Sequence, residues 1–157
     1  MTPAPALLQG IARILRGDLD GGDLSLQDAV SVGEKTGAPD DLAVALCEQS
    51  LVAMARSQWD RAEVLAERAG TVLRRARIEE SYATPLLCAL RAGVAVHRGD
   101  VAAARRELLS AQHLRPLLTY ALPHFAVQAP DRAGPRPPRA RRPSRRQDAH
   151  ARGRRRA

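Results

Sequence analysis

ARSQWDRAEVLAERA (residues 55–69) and HRGDVAAARRELLSAQHLRP (residues 97–116) decide the fold. The first stretch falls on the second when the chain is shifted against itself in one constant register. The register pairs Ala53 with Ala95, Arg56 with Arg98, Ala62 with Ala104, Ala66 with Leu108 and Ala69 with Ala111. In each copy, apolar residues recur every three or four positions on both sides of a short break. The two stretches therefore predict helical hairpins that repeat along the chain.

The same helical spacing continues outward on both sides of the two stretches. The predicted helices cover residues 7–15, 26–36, 41–56 and 59–77, a segment from Leu86 to Val94 with Pro85 in its first turn, and residues 101–114. The predicted N-caps are Ser25 and Asp40. The predicted ends are Gly17 with Gly21-Gly22, Gly37 with Pro39, and Pro116. Pro123 is predicted to lie in the first turn of one more helix.

The composition favours helices over sheets. Apolar residues make up 45% of the 157 positions, and most of them are Ala, Leu and Val. The aromatic residues are Trp59, Tyr82, Tyr120 and Phe125. A core poor in aromatic side chains suits closely packed helices. We therefore expect an all-α fold in which antiparallel hairpins stack as a solenoid, with an unrelated helical bundle as the alternative.

The net charge of +8 is unevenly distributed along the chain. Residues 1–129 contain 14 basic and 15 acidic side chains, a net charge of −1, whereas residues 130–157 contain 11 arginines and two aspartates, a net charge of +9. The composition thus divides the chain into a helical-repeat region, 1–129, and an Arg/Pro-rich tail, 130–157. Because the tail has no large apolar residue, we expect it to be disordered.

The two cysteines indicate the compartment. Cys47 and Cys88 lie far apart in sequence, each in an apolar helical pattern, which is neither a disulfide framework nor a metal-ligand spacing. Buried free thiols are typical of a reducing environment. The N-terminus lacks the pattern of a secretory signal, and no apolar run is long enough to span a bilayer. We expect a cytoplasmic protein with no membrane association.

The second stretch resembles the later half of a tetratricopeptide repeat. Gly99-Asp100 lies at the turn, Ala104, Leu108 and Ala111 share one face, and Pro116 stands where that family usually has its proline. The first stretch keeps Ala62 and Ala69, with Ala66 opposite Leu108, but it has Ser57-Gln58 at the turn and Arg74 in place of the proline. The resemblance implies that these residues pack neighbouring helices, and that Trp59 at the turn anchors the packing.

Over residues 20–129 the chain also resembles the repeat region of MalT-like regulators of the LuxR family. The likeness rests on ARSQWDRAEVLAERA, HRGDVAAARRELLSAQHLRPLLTYALP and FAVQ. In that family an ATPase module precedes the repeats and a helix-turn-helix follows them, and neither is recognisable here. The resemblance implies a truncated fragment of a transcription regulator that acts as an interaction or sensor scaffold. Its last helix would lack a cap, which predicts low stability or self-association through that end.

Two hypotheses account for the tail. One is a basic arm that binds nucleic acid non-specifically, which would make the protein a nucleic-acid-binding protein. The other, which we favour, is a frameshift after residue 129. With wobble bases chosen freely, the shifted frame can read RLTELARAHLALADPRGARTLTREADA, which restores a helix, a turn and a second helix. The nucleotide sequence of the gene distinguishes the two.

No catalytic, cofactor or metal site is expected. GEKTG at residues 33–37 lacks the Gly that precedes Lys-Thr in a phosphate-binding loop, and it ends a predicted helix where such a loop would begin one. The histidines are scattered and lack thiolate or carboxylate neighbours at ligand spacing. Trp59 is interpreted as a packing residue in preference to a ligand-binding one. The expected partner is a protein or peptide on the repeat surface.

Overall fold

A computed structural model of the protein describes residues 4–78 and 80–121, with side chains through residue 113. These residues form six helices and no strand, which confirms the all-α prediction. The helices are α1 Pro5–Leu15, α2 Leu19–Thr36, α3 Pro39–Ala55, α4 Trp59–Ala76, α5 Ala83–His97 and α6 Val101–Ala121.

The helices pair in sequence order. Hairpin 1 is formed by α1 and α2, hairpin 2 by α3 and α4, and hairpin 3 by α5 and α6, and the two helices of each hairpin pack against each other. The first helices also contact their neighbours, α1 with α3 and α3 with α5. Each second helix that has a hairpin after it packs on the first helix of that hairpin, α2 on α3 and α4 on α5. Hairpin 2 therefore lies between the other two.

The core is built mainly from the first helices. Along α3 the residues from Ala43 to Ala53 are all buried, because this helix is covered by α1, α2, α4 and α5. The largest fully buried apolar side chains include Leu26, Leu46, Leu86 and Leu90. Burial of each leucine contributes about 2 kcal/mol through the hydrophobic effect. Alanines fill the remaining contacts and allow the helix backbones to approach closely.

The turns inside the three hairpins have the same structure. Gly17, Ser57 and Gly99 occupy the left-handed region, with φ of 88°, 59° and 78°. In the first turn, Gly17 N–H donates to Ile14 O and Asp18 N–H donates to Arg13 O, and both bonds recur at the other two turns. This is the Schellman arrangement. The turns therefore align the hairpins, with Gly17 of hairpin 1 equivalent to Ser57 of hairpin 2 and to Gly99 of hairpin 3.

One carboxylate links the N-terminal ends of the three first helices. Asp41, in the first turn of α3, accepts from the backbone N–H of Ala4 at 3.0 Å and from the hydroxyl of Tyr82 at 3.2 Å. Ala4 is the residue before α1, and Tyr82 is the residue before α5. Asp41 is itself buried. The ends of α1, α3 and α5 are thereby fixed side by side.

The predicted start of the second helix at Leu26 is wrong, since α2 begins at Leu19. Asp18 caps it by accepting from Gly21 N–H at 2.9 Å. The prediction took Gly21-Gly22 as a break, but both glycines lie inside the helix. A Cβ at Gly22 would come within 2.6 Å of Ile14 in α1, so glycine is needed there for close packing.

The predicted caps Ser25 and Asp40 are also wrong. Ser25 lies inside α2, where its hydroxyl donates to Gly21 O at 3.0 Å. Ala38 occupies the cap position of α3, Pro39 is its first residue, and Asp40 lies in its first turn. There the carboxylate of Asp40 accepts a hydrogen bond from Ser81. The side chains of both residues are used for contacts other than capping.

Pro116 does not end the last helix, because α6 continues to Ala121. Proline removes one intrahelical hydrogen bond but has a φ that fits a helix, so its presence bends or weakens a helix without always ending it. The predicted turn at Gly99-Asp100 and the start of α4 at Trp59 are confirmed, although His97, which was predicted to belong to this turn, is the last residue of α5. The predicted helix at Pro123 and the tail, 130–157, lie outside the described residues.

Candidate binding cleft beside α4, α5 and α6

A cluster of polar side chains joins hairpins 1 and 2. Asp23 in α2 is buried and accepts from Gln49 of α3 at 3.3 Å, from Arg56 at the end of α3 at 3.3 Å and from Arg61 of α4 at 3.2 Å. We call these four residues the Asp23 node. Arg61 also donates to Gln58 at 3.3 Å. Its guanidinium thus bridges α2 and α4.

The alignment of the turns locates the same node one hairpin further along. Placing Gly17 on Ser57 makes Asp23 of hairpin 1 equivalent to Glu63 of hairpin 2. Placing Ser57 on Gly99 gives the equivalents of the other three residues, which are Arg91 for Gln49, Arg98 for Arg56, and Ala103 for Arg61. Glu63 pairs with Arg98, as Asp23 pairs with Arg56. The cation supplied by Arg61 is replaced by a methyl group.

A cleft of about 430 Å³ lies at this position. Its lining, hereafter the cleft, consists of Glu63, Ala66 and Glu67 from α4, Arg91, Val94 and Ala95 from α5, Arg98 and Asp100 from the turn, and Ala103 and Glu107 from α6. Small apolar side chains form part of the wall, and charged groups surround them. The cleft is open where the preceding node is filled, since Ala103 does not reach across to α4.

The charges of the cleft do not balance. Glu67 pairs with Arg91 at 3.1 Å, and Glu63 pairs with Arg98. Asp100 accepts from Ala103 N–H at 2.8 Å and so caps α6. With Glu107, four carboxylates face two guanidinium groups, a formal charge of −2. At the corresponding positions of the Asp23 node, Glu67 is Gln27, Asp100 is Gln58 and Glu107 is Leu65.

Both thiols lie in the core behind the cleft. Burial is the main cause that raises the pKa of Cys88, to about 11, and the nearby charge and hydrogen bond of Glu107 raise it further. Burial also raises the pKa of Cys47 well above its ordinary value, and the charge of Glu48 adds to this, while Arg91 opposes it. Cys47 and Cys88 are both free. At neutral pH they are protonated thiols, which are weak nucleophiles.

Trp59 takes part in an aromatic contact between two hairpins. Its ring stacks on that of His97 with 4.0 Å between centroids and 8° between planes. Trp59 begins α4 and His97 ends α5, so the stack joins hairpin 2 to hairpin 3. The histidine is exposed and the tryptophan half-buried. Trp59 therefore contacts the next hairpin.

The residues singled out in the sequence as packing positions lie near this junction. Ala62, Ala66, Ala69 and Ala104 are buried, whereas Leu108 and Ala111 are half-buried. Gly99 is in the left-handed turn, and Pro116 lies within α6. Of this set, only Ala66 lines the cleft.

The charged residues of the cleft were missed in the sequence. No role was predicted for Glu63, Glu67, Arg91 or Glu107. The signal that could have found them is the comparison of corresponding positions between hairpins, where Arg61 gives way to Ala103. That comparison needs the register that places Gly17 on Ser57 as well as the one that places Ser57 on Gly99. The sequence Arg-Gly-Asp at residues 16–18 recurs at residues 98–100, and the shared turn geometry confirms the register of all three hairpins.

The structure contributes three further observations. GEKTG forms the end of α2, with Gly37 as a left-handed cap at φ 65°, as interpreted from the sequence. Within the described part of the chain, no group of three or more His, Cys, Asp or Glu side chains could hold a metal ion. Over the same residues, no helix has the length and apolar content needed to cross a bilayer.

A second cavity, of about 540 Å³, lies between the start of α3 and the α4–α5 connection. It is lined by Asp40, Arg77, Ile78, Glu80 and Ser81. Ser81 donates to Asp40 across it and also accepts from Ala83 N–H at 3.1 Å. These bonds hold the start of α5 against α3.

Comparison with known proteins gives no relative for the chain. No protein-family model, no curated protein and no solved structure matches it.

Proposed function

We propose that the protein is a non-catalytic interaction scaffold made of stacked helical hairpins of the tetratricopeptide kind. The observation that carries the proposal is the recurrence of one turn, with the same two backbone hydrogen bonds, in all three hairpins. The contacts of α1 with α3 and of α3 with α5 support it, since stacked hairpins meet their neighbours in this order. Such arrays bind peptides or helices on their surfaces.

The cleft is the surface that we assign to the partner. It combines an opening of about 430 Å³, small apolar walls and an excess of carboxylates. Binding sites of proteins commonly join an apolar surface to a few charged groups that fix orientation. The ion pairs of the cleft hold its charged side chains in place. The site is therefore preorganised for a positively charged ligand, which is opposite in charge to the excess carboxylates.

The scaffold is proposed to derive from a transcription regulator of the LuxR family, on the resemblance of residues 20–129. Sequencing the locus beyond the stop codon in all three frames tests this origin. The proposal predicts that a shifted frame from codon 129 onward encodes further helical hairpins followed by a helix-turn-helix. Wobble bases that interrupt this frame with stop codons, or that specify no helical pattern, would refute it.

A functional test uses a reporter gene that is controlled by a transcription regulator of the LuxR family. The full chain is co-expressed in three forms: unchanged, with Glu67→Gln and Ala103→Arg in the cleft, and with the 11 arginines of residues 130–157 replaced by serine. We expect the cleft variant to lose the effect on the reporter and the tail variant to keep it. An effect that depends on the tail alone would contradict the scaffold proposal.

The alternative function is binding of nucleic acid through the tail, and the net charge of +9 in residues 130–157 favours it. Binding through many arginines is steeply salt-dependent and independent of sequence. In the reporter test above, this alternative predicts that the serine variant is inactive and that the cleft variant behaves as the unchanged chain. The two functions therefore predict opposite results from the same pair of variants.

A further inference from the structure

We infer that the cleft binds an arginine side chain presented by a short segment of a partner protein, in the place that Arg61 occupies in the preceding node. This inference rests on the proposed scaffold function and deepens it by naming the chemistry of the partner. It follows from a comparison of two equivalent positions in one molecule, of which one is filled and the other is open.

The Asp23 node, which Arg61 occupies, shows which side chain this arrangement of helices can bind. Arg61 reaches from α4 to Asp23 of α2 at 3.2 Å and to Gln58 at 3.3 Å, so its guanidinium lies between a carboxylate and an amide oxygen. The planar guanidinium donates in several directions at once, which a lysine ammonium does less specifically. This arrangement of helices therefore already binds one arginine side chain, that of Arg61.

The open position keeps one ion pair of the node and changes its other contacts. Glu63 replaces Asp23 and pairs with Arg98, and Arg91 stands where Gln49 stood and pairs with Glu67 at 3.1 Å. Ala103 replaces Arg61 and leaves an opening of about 430 Å³, which is larger than one side chain requires. The space thus admits a guanidinium together with the chain that carries it.

The change in charge favours the same occupant. At the positions that correspond to the cleft lining, the first node has one carboxylate, Asp23, and two guanidinium groups, Arg56 and Arg61. The cleft has four carboxylates and two guanidinium groups. The formal charge falls from +1 to −2 while one internal cation is removed. A cationic ligand reduces this excess of negative charge, and a neutral or anionic one does not.

The carboxylates that are added line the wall toward α6. Glu107 accepts a hydrogen bond from the thiol of Cys88, and Asp100 caps α6 by accepting one from Ala103 N–H at 2.8 Å. Each carboxylate has two oxygens and accepts several hydrogen bonds, so neither is saturated by these contacts. They add acceptors on the side opposite Glu63 and Glu67. A guanidinium that enters the cleft would meet carboxylates on both sides.

The test measures binding of defined peptides to the full chain by fluorescence anisotropy. The probes are three labelled peptides of one sequence, with alanine and glycine flanking a single arginine, lysine or citrulline. Citrulline keeps the shape of arginine and lacks its charge. We expect the arginine peptide to bind about tenfold or more tightly than the citrulline peptide, with the lysine peptide between them.

Two variants of the full chain assign binding to the cleft. Ala103→Arg installs the residue of the first node and should fill the cleft, which abolishes discrimination between the arginine and citrulline peptides. Ala102→Arg is the matched control, since it adds the same charge at an exposed neighbouring position outside the lining and should weaken arginine binding much less. Glu67→Gln introduces the residue type of Gln27, which is the corresponding position in hairpin 1. This variant should weaken arginine binding several-fold even if Ala103→Arg folds poorly.

Three results would overturn the inference. The arginine and citrulline peptides could bind alike, or Ala103→Arg could retain the discrimination while its melting curve shows a folded protein. The arginine peptide could also bind only after the 11 arginines of residues 130–157 are replaced by serine, which would make the chain's own tail the occupant. If the cleft variant affects the reporter as the unchanged chain does, the regulatory function is refuted, but a positive peptide result still supports the inference. The two failures are therefore distinguishable.

Discussion

At the scale of single residues, the three left-handed turn positions differ in one respect. Gly17 and Gly99 occupy this conformation without strain, but Ser57 adopts φ 59° with a side chain. The left-handed region places Cβ too close to the following carbonyl oxygen in an L-residue. The strain at Ser57 therefore results from its place in a turn that the other hairpins build with glycine.

Exchanging the residue types between these turns should shift stability in opposite directions. Ser57→Gly is expected to raise the free energy of unfolding by about 0.5–1 kcal/mol, and Gly99→Ala to lower it by about 1 kcal/mol. A Cβ at Gly99 meets nothing within 4 Å, so its effect reports the backbone alone. Urea denaturation of the two variants measures both values. Loss of stability in Ser57→Gly would contradict the equivalence of the turns.

The buried thiols predict how stability changes with pH. Cys88 has a pKa of about 11 against its ordinary 9.0, and the pKa of Cys47 is raised in the same direction. Above pH 9 the unfolded chain therefore binds fewer protons than the folded chain, so stability falls as pH rises. We expect the urea midpoint to decrease between pH 8 and pH 10.5, and Cys88→Ala to decrease less over the same interval. Equal decreases in both proteins would show that Cys88 does not contribute.

At the scale of helices, the Asp23 node joins α2, α3 and α4 through one carboxylate. Asp23 is buried, whereas Arg56 and Arg61 are partly exposed, so solvent weakens each pair. Asp23→Asn removes the charge that both arginines approach and should lower the free energy of unfolding by about 1–2 kcal/mol. Asp28→Asn, at an exposed position of the same helix, is the matched control and should change stability little. Similar losses in both variants would refute a specific role for the node.

The sequence predicted the helices well where apolar spacing and turn residues agreed. The hairpin of α3 and α4 and the turn at Gly99 are of this kind. The prediction failed at the start of α2, because Gly21-Gly22 has the local signature of a break. Whether a glycine breaks a helix or allows another to approach depends on residues distant in sequence. Here Ile14 of α1 packs against the space that Gly22 leaves open.

The cleft could not be read from local patterns for a related reason. Glutamates and arginines on α4 and α5 have the spacing of ordinary solvated helix faces. They form a candidate site because Ala103 supplies no cation there. This difference is recognised only by comparison with Arg61, which binds Asp23 at the equivalent position. The residue pattern within one helix does not show that an equivalent position in the next hairpin has lost a charged side chain.

At the scale of the whole molecule, the order in which helices touch separates a stack from a closed bundle. Among the described residues, α1 packs on α2 and α3, and α5 packs on α3, α4 and α6, but no Cα atom of α1 lies within 8 Å of one in α5. In a closed bundle α1 and α5 would pack directly against each other. The stack that we propose instead places each hairpin only against its neighbours, as in repeat proteins.

Nuclear Overhauser effects between methyl groups in the full chain test this order most directly. The account predicts contacts from Leu7 and Ile11 of α1 to apolar residues of α3, and from α3 to Leu86 and Leu90 of α5, with none between α1 and α5. Contacts between α1 and α5, or the absence of contacts between α3 and α5, would show a closed or differently ordered bundle. Either result would remove the equivalence of the hairpins on which the cleft and its proposed ligand depend.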